Sequence, residues 1–174
     1  MNLSLSTYIS EEQIQTKVRE MGEKLSKHFD GKEVVAICIL KGSFMFYSDL
    51  IRNLKGDVQC EFFGVSSYTG MSSSGEVKVT LDLSKPIEGK HVLLVEDIVD
   101  TGLTMNYLKQ NMLSRKPKSL TTVSLLEKPD AKKVACEVDH VGFRIPNDFV
   151  VGYGLDYQGH YRNLPYIAQV QNLN

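Results

Sequence analysis

The sequence predicts a doubly wound α/β fold: a mainly parallel sheet flanked by helices and closed by a small C-terminal lobe. Three observations carry this reading. Val34–Leu40 and Val92–Val95 are apolar at every position, as in strands buried on both faces of a parallel sheet. Amphipathic stretches at helical spacing alternate with such runs. After Lys128 the chain changes to short β-like pieces and an irregular Tyr/Pro stretch.

Each element has a local signal. Ser10 followed by Gln13 is a capping-box pattern, and Ile14, Val18, Met21, Leu25 and Phe29 then form one apolar stripe, predicting a helix to about His28. Strand Val34–Leu40 ends at Lys41-Gly42. Ser43 is placed to cap a second helix carrying Phe44, Tyr47, Leu50, Ile51 and Leu54 to about Lys55. Val58–Val65 and Glu76–Leu83 read as strands, separated by Ser66–Gly75, which is too long and polar for a tight hairpin turn. Strand Val92–Val95 precedes a helix from about Gly102 to Arg115 and a strand Leu120–Leu126. Val138–Ile145 and Phe149–Gly154 are assigned to the lobe. The expectation is a single domain over residues 1–174, with a core of about 10–128. The lobe takes about 129–174 together with the N-terminal segment.

With 42% hydrophobic and 24% charged residues the composition is that of a globular protein, and a formal net charge of -1 argues against a role centred on nucleic acid. Cys38, Cys60 and Cys136 lack metal-site spacing. Cys38 and Cys60 lie in apolar strand-like runs and read as small buried hydrophobes. The longest apolar run, Val34–Leu40, is far short of a membrane span, and Met1–Tyr8 lacks a secretory pattern. These features predict a cytoplasmic protein that touches neither membrane nor nucleic acid.

The chemistry concentrates in Glu96-Asp97-Ile98-Val99-Asp100-Thr101-Gly102-Leu103-Thr104, at the carboxyl end of a strand, where ligands of parallel α/β sheets bind. Adjacent carboxylates accept hydrogen bonds from a sugar diol or bind a cation. Two hydroxyls around a glycine at a helix start suit a phosphomonoester, because free N–H groups point at the anion. Ribose 5-phosphate satisfies both halves. A plainer reading makes Asp100 only a helix N-cap. Receiver domains also end strands in such acidic pairs, but near the N-terminus, whereas this pair lies past the midpoint.

Taken whole, four apolar residues, Glu-Asp, two apolar residues and Asp-Thr-Gly-x-Thr resemble the signature of the type I phosphoribosyltransferases. From about residue 8 onward the chain resembles the hypoxanthine-guanine phosphoribosyltransferases in their bacterial form. The matching pieces are Leu40-Lys41-Gly42-Ser43, Ser66-Ser67-Tyr68, Leu125–Lys128, Asp148–Tyr157 and Arg162–Tyr166. The resemblance implies the type I phosphoribosyltransferase fold with a small C-terminal hood lobe. The implied activity is transfer of a 5-phosphoribosyl group from phosphoribosyl pyrophosphate to N9 of hypoxanthine or guanine, with Mg²⁺ as cofactor. It also implies a homodimer or homotetramer.

The same resemblance implies roles for single residues. Lys41-Gly42, across a cis peptide, and Arg162 would hold the pyrophosphate. Ser67 and Tyr68 would belong to a mobile lid. Glu96 and Asp97 would hold the ribose hydroxyls or, with Asp156, the Mg²⁺. Ile98 would line the substrate site, and Thr101, Gly102, Leu103 and Thr104 would bind the 5′-phosphate. Asp100 would manage the proton at purine N7. Lys128 would meet the 6-oxo group, Phe149 stack on the base and the Val150 backbone read its edge. Asp100, Lys128 and Arg162 would be the catalytic set. Read without the family, Lys41-Gly42 is a strand terminator, Ser66–Gly75 a loose hairpin, Lys128 a solvated strand end and Phe149 a core aromatic. Leu103 departs from the pattern, since some members carry Lys there. The alternatives are another base such as xanthine, or a non-catalytic sensor of the donor.

Overall fold

In a computed structural model, which describes residues 3–67 and 77–171, the chain runs β1 (Leu5–Ile9), α1 (Glu11–His28), β2 (Val34–Leu40), α2 (Phe44–Arg52), β3 (Val58–Ser67) and β4 (Val77–Leu81). It continues β5 (His91–Val99), α3 (Leu103–Ser114), β6 (Ser119–Glu127), β7 (His140–Arg144), β8 (Val150–Val151) and β9 (Ile167–Val170). The larger sheet has the order β4-β3-β2-β5-β6-β7; its neighbours are parallel except for antiparallel β4. The smaller sheet, β1-β9-β8, is antiparallel and joins the N-terminal strand to the C-terminal lobe.

The helices divide between the two faces, as double winding requires. Ile14, Val18 and Leu25 of α1 and Phe46 and Leu50 of α2 pack with Ala36, Cys38, Leu93 and Val95. On the opposite face Met105, Leu108 and Met112 of α3 pack with Val35, Ile37, Val92 and Leu94. Each buried Val, Leu, Ile, Met or Phe among them contributes about 1.5–3 kcal/mol of burial free energy. The capping box of α1 forms as predicted: Gln13 N donates to Ser10 Oγ at 3.2 Å, and Ser10 N donates to Gln13 Oε1 at 2.8 Å.

Several elements differ from the sequence reading. Ser43 stands at the head of α2 but does not cap it; its buried hydroxyl donates back to the Ile39 carbonyl, which satisfies the end of β2 instead. Strand β5 runs on to Val99, so Glu96 and Asp97 lie in the strand and only Asp100 to Gly102 form the turn. Gly102, with φ +82°, occupies the N-cap of α3 rather than Asp100. Segment 138–145, expected in the lobe, supplies β7, an edge strand parallel to β6 in the larger sheet. Cys60 is exposed, because it shares an open face of β3 with Phe62, which is 45% exposed, while Phe63 on the other face is buried. Among the described residues no helix is long and apolar enough to cross a membrane.

Candidate active site

Adjacency in the sheet brings the carboxyl ends of β2, β5 and β6 side by side, with the small lobe over them. The result is a cleft of about 690 Å³. The core contributes Gly42 after β2, Val65 and Ser66 of β3, Asp97, Ile98 and Asp100 at the end of β5, and Lys128 after β6. The lobe contributes Phe149, Val150, Leu155, Asp156 and Arg162. A recess of about 200 Å³, lined in part by Glu96, Asp100, Gly102 and Thr104, adjoins it through shared walls.

Not every expected residue reaches these walls. Lys41 is exposed beside the cleft, and Leu103 is 44% exposed on α3. The backbone at Thr101 instead serves the turn, its carbonyl accepting from Lys133 N at 3.0 Å. Ser67 closes β3, and Tyr68 lies outside the described residues. The peptide between Leu40 and Lys41 is cis. Val65, Ser66 and Leu155 line the cleft although the sequence reading gives none of them a site role; Ser66 and Leu155 lie within the matching motif pieces, and the strand expected to end at Val65 runs on to Ser67.

The acidic pair is tightly enclosed. Asp97 is 8% exposed, and a Cβ added at Gly42 would lie 1.7 Å from Asp97 Oδ2, so any side chain there would displace the carboxylate or the turn. Asp97 Oδ1 accepts from Ile98 N at 2.8 Å. Burial, then the neighbouring Asp97 charge, pushes the Glu96 carboxyl well above its usual range. Burial also raises Asp97, opposed by hydrogen bonds from Glu96 and the Ile98 N–H. Glu96 Oε2 is sealed from solvent without a hydrogen-bond partner.

Lys128, Arg162 and Phe149 bring cationic and aromatic groups to the same cleft. Lys128 is 9% exposed, and its ammonium makes no ion pair among the described residues. Its backbone N–H donates to Val99 O at 2.8 Å, holding the ends of β5 and β6 together. Phe149, 39% exposed, meets Tyr157 edge-on at a centroid distance of 5.9 Å. Arg162 pairs with Asp156 at 2.7 Å and donates to Gly154 O at 2.6 Å; the second Asp156 oxygen accepts from Gly159 N at 2.6 Å.

The lobe is fixed to the core at a backbone seam. Gly152, Tyr153 and Gly154 all have positive φ, at 102°, 49° and 100°. A Cβ on Gly154 would stand 2.1 Å from Gly42 O, so the two loops touch with no side chain between them. The spaced glycines of Gly152-Tyr153-Gly154 are the one sequence signal that could have marked this seam.

Residues 6–158 match the phosphoribosyl transferase domain family. The hypoxanthine-guanine phosphoribosyltransferase of Bacillus subtilis is 48% identical over 161 residues, covering 92% of this chain and 89% of that protein. Its counterpart from Mycobacterium tuberculosis is 46% identical over 170 residues, covering 94% and 84%. The bifunctional protein TilS/HprT of Listeria innocua is 48% identical over 161 residues; the chain spans about a quarter of that relative's length, 25%. A crystal structure of a hypoxanthine-guanine phosphoribosyltransferase from Bacillus anthracis matches with a TM-score of 0.92 at 46% identity, covering 97% of this chain and 99% of that one. On fold, site and sequence together, the chain belongs to the phosphoribosyl transferase family, within its hypoxanthine-guanine phosphoribosyltransferase branch.

Proposed function

We propose that this protein transfers the 5-phosphoribosyl group of phosphoribosyl pyrophosphate to N9 of hypoxanthine or guanine, releasing pyrophosphate. The observation that carries the reading is a single cleft lined both by the acidic end of β5 and by Lys128, Phe149 and Val150. The first suits a ribose phosphate, the second a flat 6-oxopurine.

The groups then divide the work. Glu96 and Asp97 hold the ribose hydroxyls, and the segment from Thr101 to Thr104, the end of the turn and the first residues of α3, holds the 5′-phosphate with N–H groups at the head of α3. The Gly42 backbone and the Lys41 and Arg162 cations stabilise negative charge on the departing pyrophosphate. Lys128 donates to the 6-oxo oxygen, Phe149 stacks on the ring and Val150 reads its edge. Asp100 takes the N7 proton as the bond to N9 forms. Enclosure by the lobe, with Ser67 and Tyr68 as lid residues, keeps water from the anomeric carbon.

Mg²⁺ is the expected cofactor. Among the described residues no three His, Cys, Asp or Glu side chains converge to hold a metal, and Asp156 is engaged by Arg162. The donor set fits a cation held by one or two carboxylates plus substrate oxygens. Glu96, with its unpartnered Oε2, Asp97 and Asp156 are the residues that would hold it. Bound there, Mg²⁺ supplies positive charge to the pyrophosphate. Three free cysteines accord with a reducing, cytoplasmic setting. Exposed Phe44, Phe62 and Leu81 supply apolar surface for a homodimer or homotetramer.

The test is formation of inosine monophosphate from hypoxanthine, donor and Mg²⁺, with kcat/KM compared for hypoxanthine, guanine and xanthine. Turnover with neither hypoxanthine nor guanine overturns the proposal.

A further inference from the structure

Glu127 ends β6 one residue before Lys128, with its side chain turned away from the cleft. It is 4% exposed, and each carboxylate oxygen carries a cation: Lys132 Nζ at 2.7 Å and Arg144 Nε at 2.9 Å. Lys132 Nζ also donates to Cys136 O at 2.8 Å. These bonds draw the segment from Pro129 to Glu137 into a strap. Its far side is fastened to the turn after β5. Lys133 N donates to Thr101 O at 3.0 Å, and a Cβ on Gly102 would meet Cys136 Cβ at 2.8 Å. Asn106 and Lys109 of α3 donate to the carbonyls of Ala135 and Glu137 at 2.8 and 3.0 Å.

We infer that Glu127 is a positioning residue that couples Lys128 to the Thr101–Thr104 turn through this strap. The base-reading ammonium and the phosphate-binding N–H groups thereby keep one fixed separation. The inference rests on the roles proposed above for Lys128 and for Thr101 to Thr104. The chemistry is that of a buried carboxylate whose charge and both oxygens are committed to two segments at once, so it cannot relax toward either without leaving the other unpaired. Burial opposes its charge, but Lys132 and Arg144 outweigh burial and hold the carboxyl below its usual range. A nucleotide that spans both sites is the ligand whose binding depends on that separation.

The test uses Glu127→Gln and Lys132→Met, singly and combined, in steady-state formation of inosine monophosphate below the unfolding temperature of every variant. Each single change should raise KM for both phosphoribosyl pyrophosphate and hypoxanthine about tenfold, the scale of a lost charge-assisted hydrogen bond, and leave kcat within about threefold. The double variant should be no worse than the poorer single one, because both break the same link. Should Glu127→Gln fail to fold, Lys132→Met, whose side chain is 26% exposed, carries the test alone. Unchanged KM values alongside a lowered thermal midpoint overturn the inference, as does an effect confined to one substrate. Lys128→Ala is run in parallel. If it leaves hypoxanthine kinetics unaltered, the base-site assignment itself has failed; if it impairs them while Glu127→Gln does not, only the coupling has.

Discussion

The Tyr153 hydroxyl donates to Asp49 Oδ2 at 2.5 Å, tying the loop of the small lobe to the middle of α2. Asp49 also accepts from Gln15 at 3.0 Å and pairs with Arg52 at 2.7 Å, so three segments meet at one carboxylate. Burial and this carboxylate push the Tyr153 hydroxyl well above the usual phenol range, keeping it a donor at all working pH values. Tyr153→Phe should therefore cost about 1–2 kcal/mol, or roughly 3–6 °C in thermal midpoint for a chain of this size. Calorimetry measures this; an unchanged midpoint would show that the bond adds nothing net.

At Gly42 the expected effect is kinetic. Gly42→Ala places a methyl group 1.7 Å from Asp97 Oδ2, and either the carboxylate or the turn must move. A displacement of about 1 Å in a reacting geometry costs on the order of 100-fold in kcat/KM. A variant within threefold of wild type would show that the close approach of Gly42 and Asp97 is incidental.

Asp100 stands exposed at the turn, one oxygen bonded to Thr101 N. As the general base proposed for N7, its replacement in Asp100→Asn should lower kcat by about 10²–10⁴-fold while inosine monophosphate still binds. Titration calorimetry with the product and single-turnover rates separate the two. Full activity removes Asp100 from that role.

Chelating Mg²⁺ should abolish turnover yet leave the free protein's thermal midpoint nearly unmoved. The carboxylates expected to meet the ion do not form a three-ligand group among the described residues. Mg²⁺ alone should shift the midpoint by less than about 1 °C, whereas Mg²⁺ with phosphoribosyl pyrophosphate at 100 times its Kd adds about 2.7 kcal/mol. A large shift from Mg²⁺ alone would mean a preformed protein site.

The pH dependence of stability has a defined sign at Glu127. Its folded carboxyl titrates below the unfolded value of 4.5, so its contribution is fully present above that value. It is lost as pH falls through the lower folded value. Between about pH 5 and pH 3, wild-type unfolding free energy should fall more steeply than that of Glu127→Gln. Parallel slopes in urea titrations would contradict the ion-pair assignment.

Much of the fold is legible because its signals are local. Ser10 and Gln13 set the start of α1 whatever lies elsewhere, and the all-apolar Val34–Leu40 could satisfy itself only inside a parallel sheet. The acidic motif is equally local: Glu96, Asp97 and Asp100 stand at the carboxyl end of β5, while Thr101 and Leu103 stay off the cleft walls. What sequence missed depends on distant neighbours. β5 keeps Glu96 in register with Ser124 and Val99 with Glu127, so pairing with β6 extends the strand past its apolar run. β7 joins the sheet because β6 offers it an edge, a fact absent from the alternation of His140–Arg144 itself. Cys60 looks like core until the open face of β3 is seen. The support given to the site by Asp49, Tyr153 and Glu127 is invisible in sequence: Tyr153 meets Asp49 across 104 residues, and the partners of Glu127 reach it only through the turn after β6 and the edge strand β7.

The pairing of β1 with β9 bears on how the molecule is made. Synthesis proceeds from the N-terminus, so Leu5–Ile9 is made long before its partner among the described residues, Ile167–Val170. Every strand of the larger sheet and the turn from Asp100 to Gly102 exist before that pairing can form. In a growing chain the acidic end of β5 and Lys128 are thus made well ahead of Phe149, Asp156 and Arg162, and the small sheet that carries this second part of the cleft is completed only once Ile167–Val170 has been added.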